Sequence, residues 1–480
     1  MEILINVFRC FSGDDILQPI IQLLENLIFW DPLKSLGIET GADVPIIVLW
    51  LIGGALFLTL KMRFINVRGF IKAIELVRGK HDKPHEKGEV SHFQALSTAL
   101  SATVGLGNIA GVAVAISVGG PGATFWMIIA GFLGMASKFT ECTLGLKYRK
   151  LNTKGEVSGG PMYYIPVAFE RIRMPKTGKL MAGFFSVLCI GGALAGGNML
   201  QSNQAFAQVS GMVPMVQSQA LLFGVLLALL TGSVILGGLK GIARVAEKIV
   251  PLMALIYVGT ALYIIFSHTS KIPEVFSLIL REAFGQTAIA GGFLGVMMTG
   301  FRRAAFSSES GIGSASIAHA AARTSKPISE GLVALLEPFI DTIVICTMTA
   351  LVIVFTGQYT TGNMEGTMLT SRAFGSVISW FPYVLTLSVF LFAFSTMISW
   401  SYYGLKSWQF LFGSSRIGNV LYNVIFLTFT VLGCTMSLKA VTDLGDMMIL
   451  SMAIPNLLAL FILSSEVKRD LQDYLKSSKP

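Results

Sequence analysis

The chain holds 480 residues, 53% of them hydrophobic and only 13% charged, with a mean hydropathy of +0.69. Soluble domains carry roughly 25% charged residues, so a soluble chain this long could not solvate its surface with so few. A cytosolic enzyme and a secreted domain are both excluded, and a polytopic membrane protein remains. The net charge of +9 is no sign of nucleic acid, because Lys and Arg lie in short loops between apolar runs and not on one basic face. The five cysteines (Cys10, Cys142, Cys189, Cys346, Cys434) show no CxxC or Cys/His spacing, which argues against zinc and against a disulfide framework.

Taken in chain order, residues 1–43 mix Asp14, Asp15, Glu25 and Asp31 with apolar positions, and read as an amphipathic extracytoplasmic segment more than a cleaved signal. Runs long enough to span a bilayer follow near 44–60, 93–118, 121–146, 180–207, 217–239, 249–267, 286–320, 331–356, 380–405, 418–437 and 443–464. The expectation is an all-α polytopic membrane protein of about 11 transmembrane helices. Loops on one side, with the tail 465–480, carry 27 Lys and Arg; loops on the other carry six. The positive-inside rule then puts the N-terminus outside and the tail in the cytoplasm of a cell whose inner membrane the chain crosses.

Two of these runs are interrupted. Ala102 to Gly111 reads ATVGLGNIAG, and Gly300 to Ser316 reads GFRRAAFSSESGIGSAS. Glycine costs about 1 kcal/mol per helical position, and Ser and Asn compete for backbone hydrogen bonds. Both stretches favour a break at membrane depth, which survives only inside protein or beside a cavity. The plainer alternative is close helix packing, since Gly107 and Gly111 also form a GxxxG. Two breaks of opposite direction, five spans apart, predict a 5+5 inverted repeat over 88–268 and 269–464, with 44–60 as an extra first helix. Broken helices offer N–H groups to a carboxylate and carbonyls to a cation. The pattern therefore indicates a cation-coupled transporter for a carboxylate-bearing solute. Enzyme readings find no support: Gly105, Gly107 and Gly111 are spaced GxGxxxG with no preceding strand, and no HExxH or GxSxG occurs.

Several longer motifs resemble the alanine/glycine:cation symporter family, the sodium:alanine symporters. They are ALSATVGLGNIAGVA (99–113), GGPGATFWMIIAGFLGM (119–135), GGPMYYI (159–165), GGNMLQSNQ (196–204) and FSSESGIGSASIAHAAA (306–322). Thr124, Ile128, Ser308 and Ser310 depart from the family's usual residues. The family is similar in fold to the leucine-transporter class, whose first core helix also carries a VGLGN stretch, here Val104 to Asn108. That resemblance implies a substrate carboxylate at the Leu106 and Gly107 N–H groups, and one cation near Thr103 and Asn108. It also implies a second cation held by the Ser101, Val104 and Phe392 carbonyls with the Ser395 and Thr396 hydroxyls. All-oxygen ligation of this kind suits Na⁺. Asn108, Gln201, Ser307, Ser308 and Trp400 complete the expected substrate pocket.

The expected activity is uptake of a small neutral amino acid, alanine or glycine, coupled to Na⁺ as co-transported ion, with no cofactor, no nucleic acid and no obligatory protein partner. H⁺ coupling, a larger neutral amino acid, or a passive amino-acid channel or sensor are the alternatives. Among other polar residues, Asn198, Asn203 and Gln204 divide between substrate and helix–helix contacts. Glu309 is expected to cap the half-helix after the second break. Lys138 and Glu141 are expected to pair with each other, while Glu337 and Asp341 share a face and could gate or carry protons. Arg302 and Arg303 could pair with Glu309 or with a substrate carboxylate, or could mark a vestibule.

Overall fold

The computed structural model describes residues 26, 28–37, 43–79, 86–151, 156–285, 292–360 and 366–477. Most of the segment 1–43 lies outside them, so the expected amphipathic lead-in is not addressed. Helices dominate: α1 Ile46–Lys61, α2 Phe70–Val77, α3 His92–Thr103, α4 Gly107–Gly119, α5 Ala123–Lys147, α6 Pro161–Arg171, α7 Pro175–Met212, α8 Ala220–Ile235 and α9 Gly238–Phe266. They continue as α10 Ile272–Ala283, α11 Gly292–Ser308, α12 Ala315–His319, α13 Pro327–Thr356, α14 Thr367–Gly375, α15 Phe381–Phe412, α16 Arg416–Gly433 and α17 Leu438–Ser477. Two short strands, Lys150–Leu151 and Val157–Ser158, pair antiparallel with Lys150 opposite Ser158.

Among the described residues seven helices are long and apolar enough to cross a bilayer, and the bent pair α3–α4 makes an eighth. The runs expected at 44–60 and 217–239 form the shorter apolar helices α1 and α8. Helix α17 runs well beyond the expected end at 464, because Glu466, Lys468, Arg469 and Asp470 continue its turns outside the apolar stretch.

Local sequence sets the helix ends. Ser91 and Gln94 form a reciprocal capping box that starts α3, and Pro161 and Pro175 open α6 and α7, where their missing N–H costs nothing. The interior is apolar and continuous, with Phe139, Phe185, Phe374, Phe392 and Trp400 fully buried. Large apolar side chains on α8 and α16, such as Leu222, Leu226, Leu229, Leu421 and Val424, instead face outward. On a soluble protein such faces would be a liability; against lipid they are the expected exterior.

Candidate functional site: two broken helices and a third

The first break is where the glycines and Asn108 put it. Helix α3 ends at Thr103, Val104 is extended (ψ 90°), and the chain re-enters helix with a π-type turn over Gly107–Gly111. The axis turns by 53°. Asn108 stabilises the turn from inside, its Oδ1 accepting from Gly105 N–H at 2.8 Å. Leu106 and Gly107 open α4, so their N–H groups have no intrahelical acceptor.

The second break spans 309–314, between α11 and α12. Glu309, Gly311 and Gly313 all have positive φ (52°, 88° and 95°), a conformation no helix continues through. Asn456 of α17 anchors the loop, donating to Gly311 O at 2.8 Å and to Glu141 Oε2 at 3.2 Å while accepting from Tyr164 Oη at 2.5 Å. Glu309 does not cap α12, as the sequence had suggested. It accepts from Ser314 Oγ (2.5 Å) and Trp400 Nε1 (3.2 Å), and no side chain caps that helix.

The first break touches the last turn of α11, just before the second. A Cβ placed on Gly107 would lie 3.4 Å from Ser307 Cα. Around this contact a buried polar cluster forms: Asn108 Nδ2 donates to Asp341 Oδ1 at 2.6 Å and to Asp341 O at 3.1 Å, and Ser307 Oγ donates to Asp341 Oδ2 at 2.7 Å. Thr342 Oγ1 adds a third donor at 2.8 Å. Asp341 is thus central to the site, though sequence reading left it as a gating candidate. A lone carboxylate in the apolar run FIDTIVIC was the available signal; its partner was not visible.

Helix α15 closes the other side. Thr396 Oγ1 donates to Ser101 O at 3.0 Å, Ser101 Oγ to Ser395 O at 2.7 Å, and Ser395 Oγ to Phe392 O at 3.0 Å. Six oxygens of four buried residues, Ser101, Phe392, Ser395 and Thr396, are therefore linked in one set of contacts between α3 and α15. Gly105 makes the approach possible, since a Cβ there would stand 2.7 Å from Thr396 Oγ1. It would also stand 3.5 Å from Gln201 Oε1, a buried acceptor with no hydrogen-bond partner. The amide Nε2 of Gln201 is held by Gly196 O at 3.1 Å, so its oxygen is aimed at the break. Trp400 packs directly against Gly197, where a Cβ would collide with its Cγ at 2.2 Å.

Other expected residues go elsewhere. Thr103 Oγ1 bonds back to Ala99 O and Leu100 O at 3.3 and 3.5 Å. Ser308 Oγ bonds back to Ala304 O at 3.0 Å and faces Gly134 of α5, away from Asn108. Asn198 and Asn203 serve helix contacts, donating to Phe426 O and to Gly433 O and Met436 O respectively. Lys138 pairs more closely with Glu337 (3.0 Å) than with Glu141 (3.6 Å). Arg302 meets neither Glu309 nor the break; it reaches Asp446 of α17 at 3.4 Å and covers the Phe29 ring.

A sequence profile of the sodium:alanine symporter family matches residues 37–480. The chain belongs to that family. The sodium/alanine symporter AgcS of Methanococcus maripaludis is 38% identical over 88% of this chain and 92% of its own. A Bacillus subtilis protein named "Probable sodium/glutamine symporter GlnT" is 36% identical over 90% and 88%. Among solved structures, MhsT in complex with L-phenylalanine matches with a TM-score of 0.54 at 16% identity, covering 82% of this chain and 100% of that one. That likeness shows a leucine-transporter-like fold. Like the rest of the sodium:alanine symporter family, the chain is a multi-pass membrane transporter of the sodium-coupled amino-acid class, not an enzyme.

Proposed function

We propose that this symporter couples inward Na⁺ movement to uptake of alanine or glycine at the junction of the two breaks. The carrying observation is the meeting of Gly107, Asn108, Ser307 and Asp341 beside the Ser101–Thr396 contact. In this reading the substrate carboxylate accepts from the Leu106 and Gly107 N–H groups, and its ammonium group faces Gln201 Oε1. One Na⁺ sits by Asn108 and Asp341, with Thr103 turning from its backbone bonds to join. The second takes the Ser101, Val104 and Phe392 carbonyls with the Ser395 and Thr396 hydroxyls. Oxygen-only donors of this kind match a hard monovalent cation. The close approaches at Gly105 and Gly107 favour a small side chain on the substrate.

The two breaks, five spans apart in chain order, support the inverted repeat of 88–268 and 269–464, with rocking of the repeats alternating access. Charge asymmetry supports an N-terminus outside and a cytoplasmic tail. Two clefts of about 550 and 560 Å³ open on the Arg372 and Gln217 face, which this orientation makes the outer vestibule. The test is purified protein in liposomes, with labelled alanine, glycine and glutamine offered under a Na⁺ gradient and, separately, a H⁺ gradient. Uphill accumulation of alanine or glycine with Na⁺ is expected. Equilibration without accumulation would indicate a channel, and accumulation with H⁺ alone would overturn the Na⁺ assignment.

A further inference from the structure

Away from the break junction lies a second polar cluster that the transport reading does not use. His92 of α3, Lys138 and Glu141 of α5, His319 of α12, and Glu330 and Glu337 of α13 are all buried. Glu330 bridges two helices, bonding His92 Nδ1 through one oxygen and His319 Nδ1 through the other, the latter at 2.5 Å. Glu337 Oε1 stands 3.0 Å from Lys138 Nζ. Its Oε2 faces His319 Nε2 across 3.8 Å, and neither of these two atoms makes a hydrogen bond. The chain flanking these two helices is joined nearby: Arg323 N–H, after α12, donates to Val90 O, before α3, at 2.7 Å, and the Arg149 guanidinium donates to Ala320 O and Ala322 O at 2.7 Å each.

Charge balance decides what this cluster holds. One lysine faces three glutamates, which leaves a deficit of two positive charges that two imidazole protons would close. Uncompensated charge of that size in a dry interior is costly. A neutral His319 carries one N–H and serves one carboxylate only; the imidazolium has two and serves both. Its second N–H would draw Glu337 from 3.8 Å to a charge-assisted hydrogen bond of about 2.8 Å.

We propose that the His319–Glu337 pair is a proton-binding site, separate from the sodium and amino-acid site, whose occupancy fastens α12 to α13 and, through Glu330, to α3. Arg149 and Arg323 mark the side of the cluster where α12 ends and α3 begins. Glu141, Cys142 and Lys138 face the pair from α5, Glu330 and Asp341 from α13, His92 from α3, Glu309 from the second break, and Tyr403 from α15. Because α3 begins and α12 ends on this side, a bound proton holds that side shut, and its loss frees them to part.

The spectroscopic test needs neither sodium nor substrate, so its failure is distinct from failure of the transport reading. Purified protein with ¹⁵N-histidine is followed by solid-state NMR between about pH 6 and 9, with His319→Gln to assign the resonance. His319 should be an imidazolium at neutral pH and lose its proton as the pH rises. Glu337→Gln removes the charge that holds the proton, and should move that loss to more acid pH. A neutral His319 throughout, or a titration that Glu337→Gln leaves in place, would overturn the proposal. In liposomes, raising the pH on the Arg149 side should speed Na⁺-driven uptake by about threefold or more in wild type, and His319→Gln should flatten the profile. If His319→Gln fails to fold, the wild-type and Glu337→Gln spectra still decide the matter. A His319→Gln transporter with the wild-type pH profile would refute it as well.

Discussion

Replacing Gly105 by alanine is the sharpest test of the break geometry, because Gly107, two residues away, supplies its control. The added Cβ at Gly105 would sit 2.7 Å from Thr396 Oγ1, whereas at Gly107 the nearest atom is Ser307 Cα at an ordinary 3.4 Å. Neither glycine has positive φ, so alanine brings no backbone strain at either position. The whole difference is steric. Thr396 cannot simply turn away: β-branched side chains in helices have few rotamers, and turning would break the Oγ1 bond to Ser101 O. Overpacking of this kind costs about 1–3 kcal/mol, which at 1.4 kcal/mol per tenfold is roughly five- to 150-fold in affinity. The loss should fall on Na⁺, since the displaced hydroxyl belongs to the proposed cation site. The assay is Na⁺-dependent alanine uptake in liposomes, with the half-saturating Na⁺ concentration measured for both variants. Gly105→Ala should raise it by that factor, and Gly107→Ala should change it less than about threefold. The reverse order would refute the placement of α3 against α15.

Thr396→Val keeps the shape and removes the oxygen; leaving a polar contact unmade costs on the order of 1–3 kcal/mol, so the Na⁺ requirement should rise roughly five- to 150-fold. An unchanged Na⁺ curve in a normally inserted protein would take Thr396 out of the site. Asp341→Asn keeps the hydrogen-bonding shape but removes the charge, and should weaken Na⁺ binding more than it lowers the melting temperature in detergent. If stability falls and Na⁺ affinity does not, Asp341 is a structural anchor for Asn108 and Ser307. Amino acids should compete for uptake while their amides and decarboxylated amines do not, because the Leu106 and Gly107 N–H groups need an anionic partner; equal competition by alaninamide would dismiss that contact.

Both breaks were legible in the sequence because their cause is local. Gly105, Gly107 and Asn108, and later Glu309, Ser310, Gly311 and Gly313, disfavour helix wherever they occur, and the apolar runs around them require a membrane. The grouping of Phe392 with Ser395 and Thr396 came from the family resemblance and not from spacing. Partners across the chain were not legible. Asn108 meets Asp341 over 233 residues, and nothing in either segment names the other. Lys138 had an obvious neighbour in Glu141 one turn away, yet the closer carboxylate is Glu337. Ser307 and Ser308 are adjacent and alike in chemistry, but a helix turns about 100° per residue, so one enters the cluster and the other faces α5. Composition and spacing determine where a helix stops and which faces are apolar, since those depend on neighbouring residues alone. Which face meets which, and so whether a buried oxygen binds an ion or its own backbone, depends on the packing of distant helices, and only the tertiary structure decided it.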